Sequence, residues 1–281
     1  MEYSNQEIPE GINTTAVHPL KEFLILTAGV LGAIAILVVI LSLLAERLAV
    51  YIPFRVEQSL IPEKVLTDDD TSRTAEYLQK LTRQLARHMD LPDGMEFTVH
   101  YSSSPIRNAY ATLGGHIYIF QGLLDELPDE NALAMVVAHE MAHVFHRHPI
   151  IAMGRGVVIG LLLSAVSGIS SDHFVGQVIT NTGFITVLKF NRDQERQADK
   201  TALEILYKHY GHVQGADELF RLLQNDKNTA SEPFLFLNTH PLNAQRVQAI
   251  MQLARENSWP LEGKVIPLPG FIHQDQSAIT E

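Results

Sequence analysis

The sequence predicts a mainly helical domain with a small antiparallel sheet, carried behind one transmembrane helix. Three observations predict it. An uncharged apolar run near the N-terminus is long enough to cross a bilayer, three short runs between residues 95 and 120 alternate as strands, and the segment before them repeats apolar residues at three- and four-residue steps. The chain has 281 residues, 46% of them hydrophobic and 19% charged, so wholesale disorder is excluded. It has no cysteine, which excludes disulfides, thiolate metal sites, iron–sulfur clusters and a cysteine nucleophile. Lys and Arg total 21 against 32 Asp and Glu, a net charge of −11. Nucleic acid is therefore not an expected partner, because a general binder needs a basic face.

Residues 1–22 form an acidic leader, with Glu2, Glu7, Glu10 and Glu22 against Lys21. Residues 23–45 read FLILTAGVLGAIAILVVILSLLA, 23 positions without a charge. At ~1.5 Å per residue the run reaches ~34 Å, against a hydrocarbon core of ~30 Å. A cleaved signal peptide needs a short basic leader and a shorter apolar core, and neither is present. The expectation is a single-pass anchor in the lipid bilayer. Arg47, Arg55 and Lys64 after the span outnumber Lys21 before it, which leans the following domain toward the cytoplasmic face.

Residues 46–66, with Pro53 and Pro62, read as a juxtamembrane connector, and 67–258 as the folded domain. Asp68–Asp70 precede a helical pattern in which Leu78, Leu81, Leu85 and Met89 share a face. Pro92-Asp93-Gly94 ends it. Residues 95–101, 108–112 and 116–120 are the strands, with a tight hairpin at Gly114-Gly115. Asp129 caps a helix that runs from about Glu130 to His148, where Pro149 stops it. Residues 156–188 carry one charge, Asp172, between two apolar stretches that are each short for a span. They read as a buried helix pair, a helix with an irregular lid, or a hairpin dipping into the membrane. Further helices are expected at 191–210, 213–224 and 241–256, and the Pro-rich tail 259–281 as an extended or loosely packed end. An oligomer is compatible with this organisation, but nothing in it calls for one.

Residues 139–143 read His-Glu-Met-Ala-His inside the apolar frame VVAHEMAHVF. Positions four apart share a helix face, so His139 and His143 can direct both imidazoles at one metal ion. Glu140 lies about 100° round the helix from His139, poorly placed as a ligand but well placed as a general base. Imidazole and carboxylate donors without thiolate suit Zn2+. A third histidine after a glycine bend is excluded, because His146 and Pro149 stand where the glycine and the ligand would be. A glutamate on a second helix remains, and Glu195 fits. Asp199 follows four residues later on the same face, placed to accept a hydrogen bond from the far nitrogen of a liganding imidazole. Ala198 and Ala202 would let the helices approach closely. His146 and His148 read as surface groups or as groups behind the ligands, and spacing suggests no partner for His88, His100, His173, His209 or His212.

HEMAH, the Glu-x-x-Ala-Asp from Glu195 to Asp199, and Thr239-His240-Pro241 together resemble the integral-membrane gluzincin metallopeptidases of the HtpX and CAAX-prenyl-protease type. Asn108-Ala109-Tyr110-Ala111 followed by Gly114-Gly115-His116-Ile117-Tyr118 is similar to that family's stretch before the active-site helix. The resemblance runs from about Thr71 to Arg255. It implies an α+β fold and a zinc endopeptidase acting on polypeptides, here with one anchor rather than several spans. It implies that His240 stabilises the oxyanion, and that the strand near His116–Phe120 lies along the cleft. Asn108, Ala109, His116 and Tyr118 are then candidates for binding substrate as an added strand. It also assigns Arg246 a structural ion pair. Membrane-proximal or misfolded polypeptides are the expected substrates. The rival reading is a chaperone-like or scaffold protein that keeps the zinc site without proteolysis.

Overall fold

The computed structural model describes residues 18–61, 72–167, 190–226, 235–236, 240 and 244–273. Helix α1, Pro19–Ala49, contains the whole apolar run, and no residue of that run is buried by the rest of the chain. Its last residue, Ala49, enters the domain, where it joins Tyr110, Leu113, Ile150, Ala152 and Phe190 in a hydrophobic cluster. The connector is not featureless. Pro53 starts a short helix, α2 (Phe54–Ser59), which buries Phe54 and Glu57. Pro62 and Asp68–Asp70 fall outside the described residues.

Ser72 caps α3 (Arg73–Ala86), accepting from the Ala75 amide. The expected apolar face is the buried one: Leu78, Leu81 and Leu85 are at most 2% exposed. Each such leucine contributes roughly 1.5–3 kcal/mol relative to exposure. The sheet comprises β1 (Thr98–Ser102), β2 (Ala109–Ala111) and β3 (His116–Phe120), in the order β1-β3-β2. The expected hairpin joins β2 and β3 antiparallel, Tyr110 opposite Tyr118. Its turn places Gly114 and Gly115 at φ of 66° and 85°, where a side chain on Gly115 would collide with the Glu96 carbonyl. The sheet is mixed rather than wholly antiparallel, because β1 pairs in parallel with β3 from Thr98–His116 to Ser102–Phe120. The reason is burial. Ile117 and Ile119 are fully buried, so β3 takes the middle position, where both edges are paired. On β1's outer edge, Gln79 of α3 donates to the Phe97 carbonyl and accepts from the Val99 amide.

A one-turn helix, α4 (Gln121–Leu124), leads to α5 (Glu130–Phe145), capped by Asp129 as expected. Helix α5 is the centre of the domain, with α3, the sheet and the helix over Arg192–Tyr210 packed around it. It ends at Phe145, earlier than expected. Arg147 takes a left-handed conformation (φ 63°), and α6 (His148–Ser167) begins directly after it. Pro149 therefore opens a helix instead of closing one, since the first turn needs no amide donor from it. Helix α6 packs along α1, with Arg155 paired to Glu46 at 3.4 Å. This settles the first apolar stretch after Gly156 as helix up to Ser167; residues 168–189 lie outside the described residues.

Helix α7 (Arg192–Tyr210) has the expected bounds. An Asn191–Gln194 capping box starts it and Gly211, at φ 77°, ends it. Helix α8 spans Glu218–Asp226, a later start than expected, because 213–217 form turns around Gly215 at φ 94°. Helix α9 is described over Ala244–Glu256; Pro241 is outside the described residues. The tail is extended as expected, but through His273 it is firmly docked. Trp259 stacks on Tyr207, the Ile266 carbonyl accepts from the Glu130 amide, and Ile272 is fully buried.

Candidate active site

Helix α5 presents His139 and His143 one turn apart, their Nε2 atoms 3.0 Å from each other. The capping box fixes the start of α7 so that Glu195 falls in its first turn. Ala198 and Ala202 are fully buried at the α5–α7 contact and let the helices close. Glu195 Oε2 then lies 3.6 Å from His139 Nε2, and its Oε1 3.6 Å from His143 Nε2. His240 Nδ1 completes the group, 3.1 Å from Glu195 Oε1 and 3.3 Å from His139 Nε2. One donor atom from each of the four residues lies within 4.8 Å of the others. All four side chains are buried.

Glu140 is fully buried beside this cluster, 3.4 Å from His240 Nε2. Neither of its carboxylate oxygens has a hydrogen-bond partner among the described residues, and neither has His240 Nε2. Three buried carboxylates, Glu140, Glu195 and Asp199, face one guanidinium, Arg246, a formal charge of −2 when the imidazoles are neutral, as ligands must be. Uncompensated buried charge is costly, and a divalent cation among these imidazoles and Glu195 would neutralise it. The donor set therefore fits a metal ion.

Asp199 behaves as the sequence suggested. Its Oδ1 is 3.1 Å from His139 Nδ1, the nitrogen facing away from the cluster. Arg246 grips Asp199 through Nε (2.8 Å) and Nη2 (2.7 Å) and reaches Glu195 Oε2 with Nη1 (2.6 Å). Burial alone disfavours protonated His139, but Asp199 and Glu195 outweigh it and raise its pKa to about 9. Burial, with His139 alongside, holds His143 well below its ordinary value. Burial opposes ionisation of Glu195 too, yet the surrounding histidines hold its carboxyl well below the usual range.

His148 stands behind His143, one of the two places the sequence allowed it, with Gln197 beyond it. Sequence reading missed Gln197 and two aromatic rings. Phe190 stacks on His143 with centroids 3.9 Å apart, and Phe236 on His240 at 4.2 Å. Isolated phenylalanines carry no pattern that would reveal this.

The expected substrate-binding residues divide. His116 and Tyr118 are not brought into the cluster: His116 Nδ1 is 2.7 Å from His100 Nε2, and both rings stack with neighbours on the face of the sheet. Their strand is central, with both edges paired, so no peptide can add to it. Ala109 instead begins the outer strand, and Asn108 directly precedes it. The Asn108 carbonyl accepts from Phe120 and the Thr112 amide donates to His116. By the antiparallel alternation, the amide groups of Ala109 and Ala111 then face away from β3.

A profile of Peptidase family M48 matches residues 72–254. The chain belongs to peptidase family M48. The match covers nearly the stretch, Thr71 to Arg255, over which the motifs carried the gluzincin resemblance. The chain is 26% identical over 202 residues to mitochondrial metalloendopeptidase OMA1 of Schizosaccharomyces pombe, covering 67% of this chain and 59% of that protein. It is 23% identical over 207 residues to metalloendopeptidase OMA1 of Homo sapiens, covering 68% and 40%. It is also similar to the beta-barrel assembly-enhancing protease of Escherichia coli, 28% identical over 149 residues, covering 50% and 31%. This M48 chain thus spans between about a third and three fifths of the lengths of these relatives.

Proposed function

We propose that the chain is a membrane-anchored zinc endopeptidase. The observation that carries the reading is Glu140, fully buried with no hydrogen-bond partner among the described residues, beside a four-residue donor cluster. His139, His143 and Glu195 would hold the metal. Two imidazoles, one carboxylate and no thiolate favour zinc. What zinc supplies when bound is Lewis acidity toward the scissile carbonyl and toward water. Glu140 takes the proton as water attacks and delivers it to the leaving amine, so it serves as base and then as acid. His240 stands where a catalytic site keeps an open position. Its imidazole must withdraw for turnover, and from there it can donate to the developing oxyanion. Substrate would lie antiparallel along β2, against the outward amide groups of Ala109 and Ala111, once the buried cleft opens.

The anchor limits the reachable substrates. Ala49 at the end of α1 shares a cluster with Phe190, which stacks on His143. The cleft is therefore held close to the bilayer, and membrane-proximal or misfolded polypeptides are the substrates within reach. The positive residues after the span favour the cytoplasmic face. One observation favours a second reading, a scaffold with structural zinc: His240 brings the protein donors to four, the composition of a closed site. Glu140 argues for catalysis, since a structural site has no use for a base.

The test compares the full chain with its Glu140→Gln variant in detergent for zinc content and casein cleavage. Equal, near-stoichiometric zinc with cleavage reduced by at least ~10²-fold in the variant is expected. Undiminished cleavage by the variant overturns the role of Glu140. Wild-type protein that binds no zinc overturns the reading of the site.

A further inference from the structure

We propose that His148 is a positioning residue for the metal centre, holding His143 in the orientation and tautomer that a ligand needs. The inference rests on reading the cluster as a metal site. His143 turns Nε2 toward the cluster, 3.0 Å from His139 Nε2 and 3.6 Å from Glu195 Oε1. A nitrogen that ligates must offer its lone pair, so the ring proton of neutral His143 sits on Nδ1. That Nδ1 is 2.9 Å from His148 Nδ1. His143 therefore donates and His148 Nδ1 accepts. The proton of a neutral His148 then sits on Nε2, which is 3.1 Å from the acceptor Gln197 Oε1. The chain His143 to His148 to Gln197 is consistent at every step, with one proton per contact.

The two liganding histidines are thus backed differently. His139 donates to Asp199, a carboxylate paired with Arg246. His143 donates to a neutral ring. His146 does not compete for this place, because its Nε2 bonds Thr201 Oγ1 at 2.8 Å. His148 is 2% exposed, so no water takes over the bond if its ring is lost.

The backbone is arranged for this contact. On an unbroken α5, position 148 would lie about 140° round the axis from 143 and face away from it. The left-handed Arg147 breaks the helix and returns His148 to His143. That break is held from the juxtamembrane segment. Arg147 Nη2 donates to the Ile52 carbonyl (2.5 Å) and pairs with Glu57 (3.2 Å), and its guanidinium lies over Phe54. An acceptor at 148 is thereby built into the corner where the anchor meets the metal helix.

The test uses the full chain in detergent, with Zn2+ affinity read by chelator competition. His148→Phe keeps an aromatic ring but no acceptor; His148→Gln keeps an acceptor. His148→Phe should weaken zinc binding by roughly 10–100-fold, while His148→Gln retains most of the affinity. In histidine 15N spectra of zinc-loaded wild type, His143 should carry its proton on Nδ1. Gln197→Ala, on the exposed face of α7, tests the same chain without touching the core and should cost several-fold in affinity. Zinc binding by His148→Phe at wild-type strength overturns the proposal, as does an equal loss in His148→Gln. If His148→Phe does not fold, unchanged affinity in Gln197→Ala overturns it. Wild-type protein without zinc affinity removes the metal-site reading itself, an outcome distinct from these.

Discussion

Arg246 is the cation on which the metal-free site depends, and replacing it with methionine tests the electrostatic account directly. Its side chain is 5% exposed, and the carboxylates it compensates, Asp199 and Glu195, are 4% and 1% exposed. It makes three contacts of 2.6 to 2.8 Å to them. Methionine keeps most of the volume and removes the charge, taking the formal charge of the metal-free cluster, with His139 protonated, from −1 to −2. Removing one partner of a buried ion pair costs about 3–5 kcal/mol, because the other charge is left uncompensated. For a domain of this size each kcal/mol moves Tm by roughly 2–4 °C, so Arg246→Met should lower it by roughly 6–20 °C.

The assay is thermal unfolding of the chelator-treated full chain in detergent, wild type against Arg246→Met, across pH. The guanidinium and His139 hold the Asp199 carboxyl below its ordinary value against the opposing effect of burial. A depressed carboxylate stabilises the fold above its unfolded pKa, and that stability is lost as pH falls through the folded value. The gap between the proteins should thus be widest near neutrality and narrow below about pH 4. Saturating zinc should also narrow it, by supplying the missing positive charge. Arg246→Lys should fall between the two, since an ammonium cannot reproduce the planar fork. A drop of less than about 2 °C at pH 7 would refute the reasoning, as would a gap indifferent to zinc.

Four further outcomes are expected. The metal-free protein carries a proton on His139 up to a pKa of about 9, and zinc must displace it; zinc affinity by chelator competition should rise about tenfold per pH unit between 7 and 9. The same raised pKa stabilises the metal-free fold below about pH 6.5, and this stability should fade as pH climbs toward 9; a flat profile in both measurements would contradict the Asp199–His139 contact. Gly115→Ala places a side chain at φ 85° against the Glu96 carbonyl and should cost at least ~2 kcal/mol in denaturant unfolding; a neutral substitution would contradict the turn geometry. Asp129→Ala removes the acceptor for the Ala132 amide and should cost about 1 kcal/mol in the same assay.

What was legible in the sequence is what local geometry controls. His139 and His143, or Glu195 and Asp199, are four apart, and the helix brings each pair to one face whatever surrounds it. The capped starts of α5 and α7 and the β2–β3 turn are local in the same sense. Strand order is not local. That β1 runs parallel beside β3 depends on which strand the core accepts in the middle, and Ile117 and Ile119 decide it through burial that no alternation pattern measures. The corner after Phe145 is the clearest case. Pro149 marks a helix boundary, and a local rule reads such a proline as an end. The rule is silent about the residue that makes the break, Arg147, whose left-handed backbone is held by Glu57 and Ile52 some ninety positions earlier. His148 owes its place behind His143 to that break. Local rules therefore fail at the one corner where the juxtamembrane helix, the metal-bearing helix and α6 meet. A bend that the local sequence does not demand must be held by long-range contacts, and here those contacts come from the segment joining the domain to its anchor. The geometry around His143 is in this way tied to how the domain sits on the end of α1.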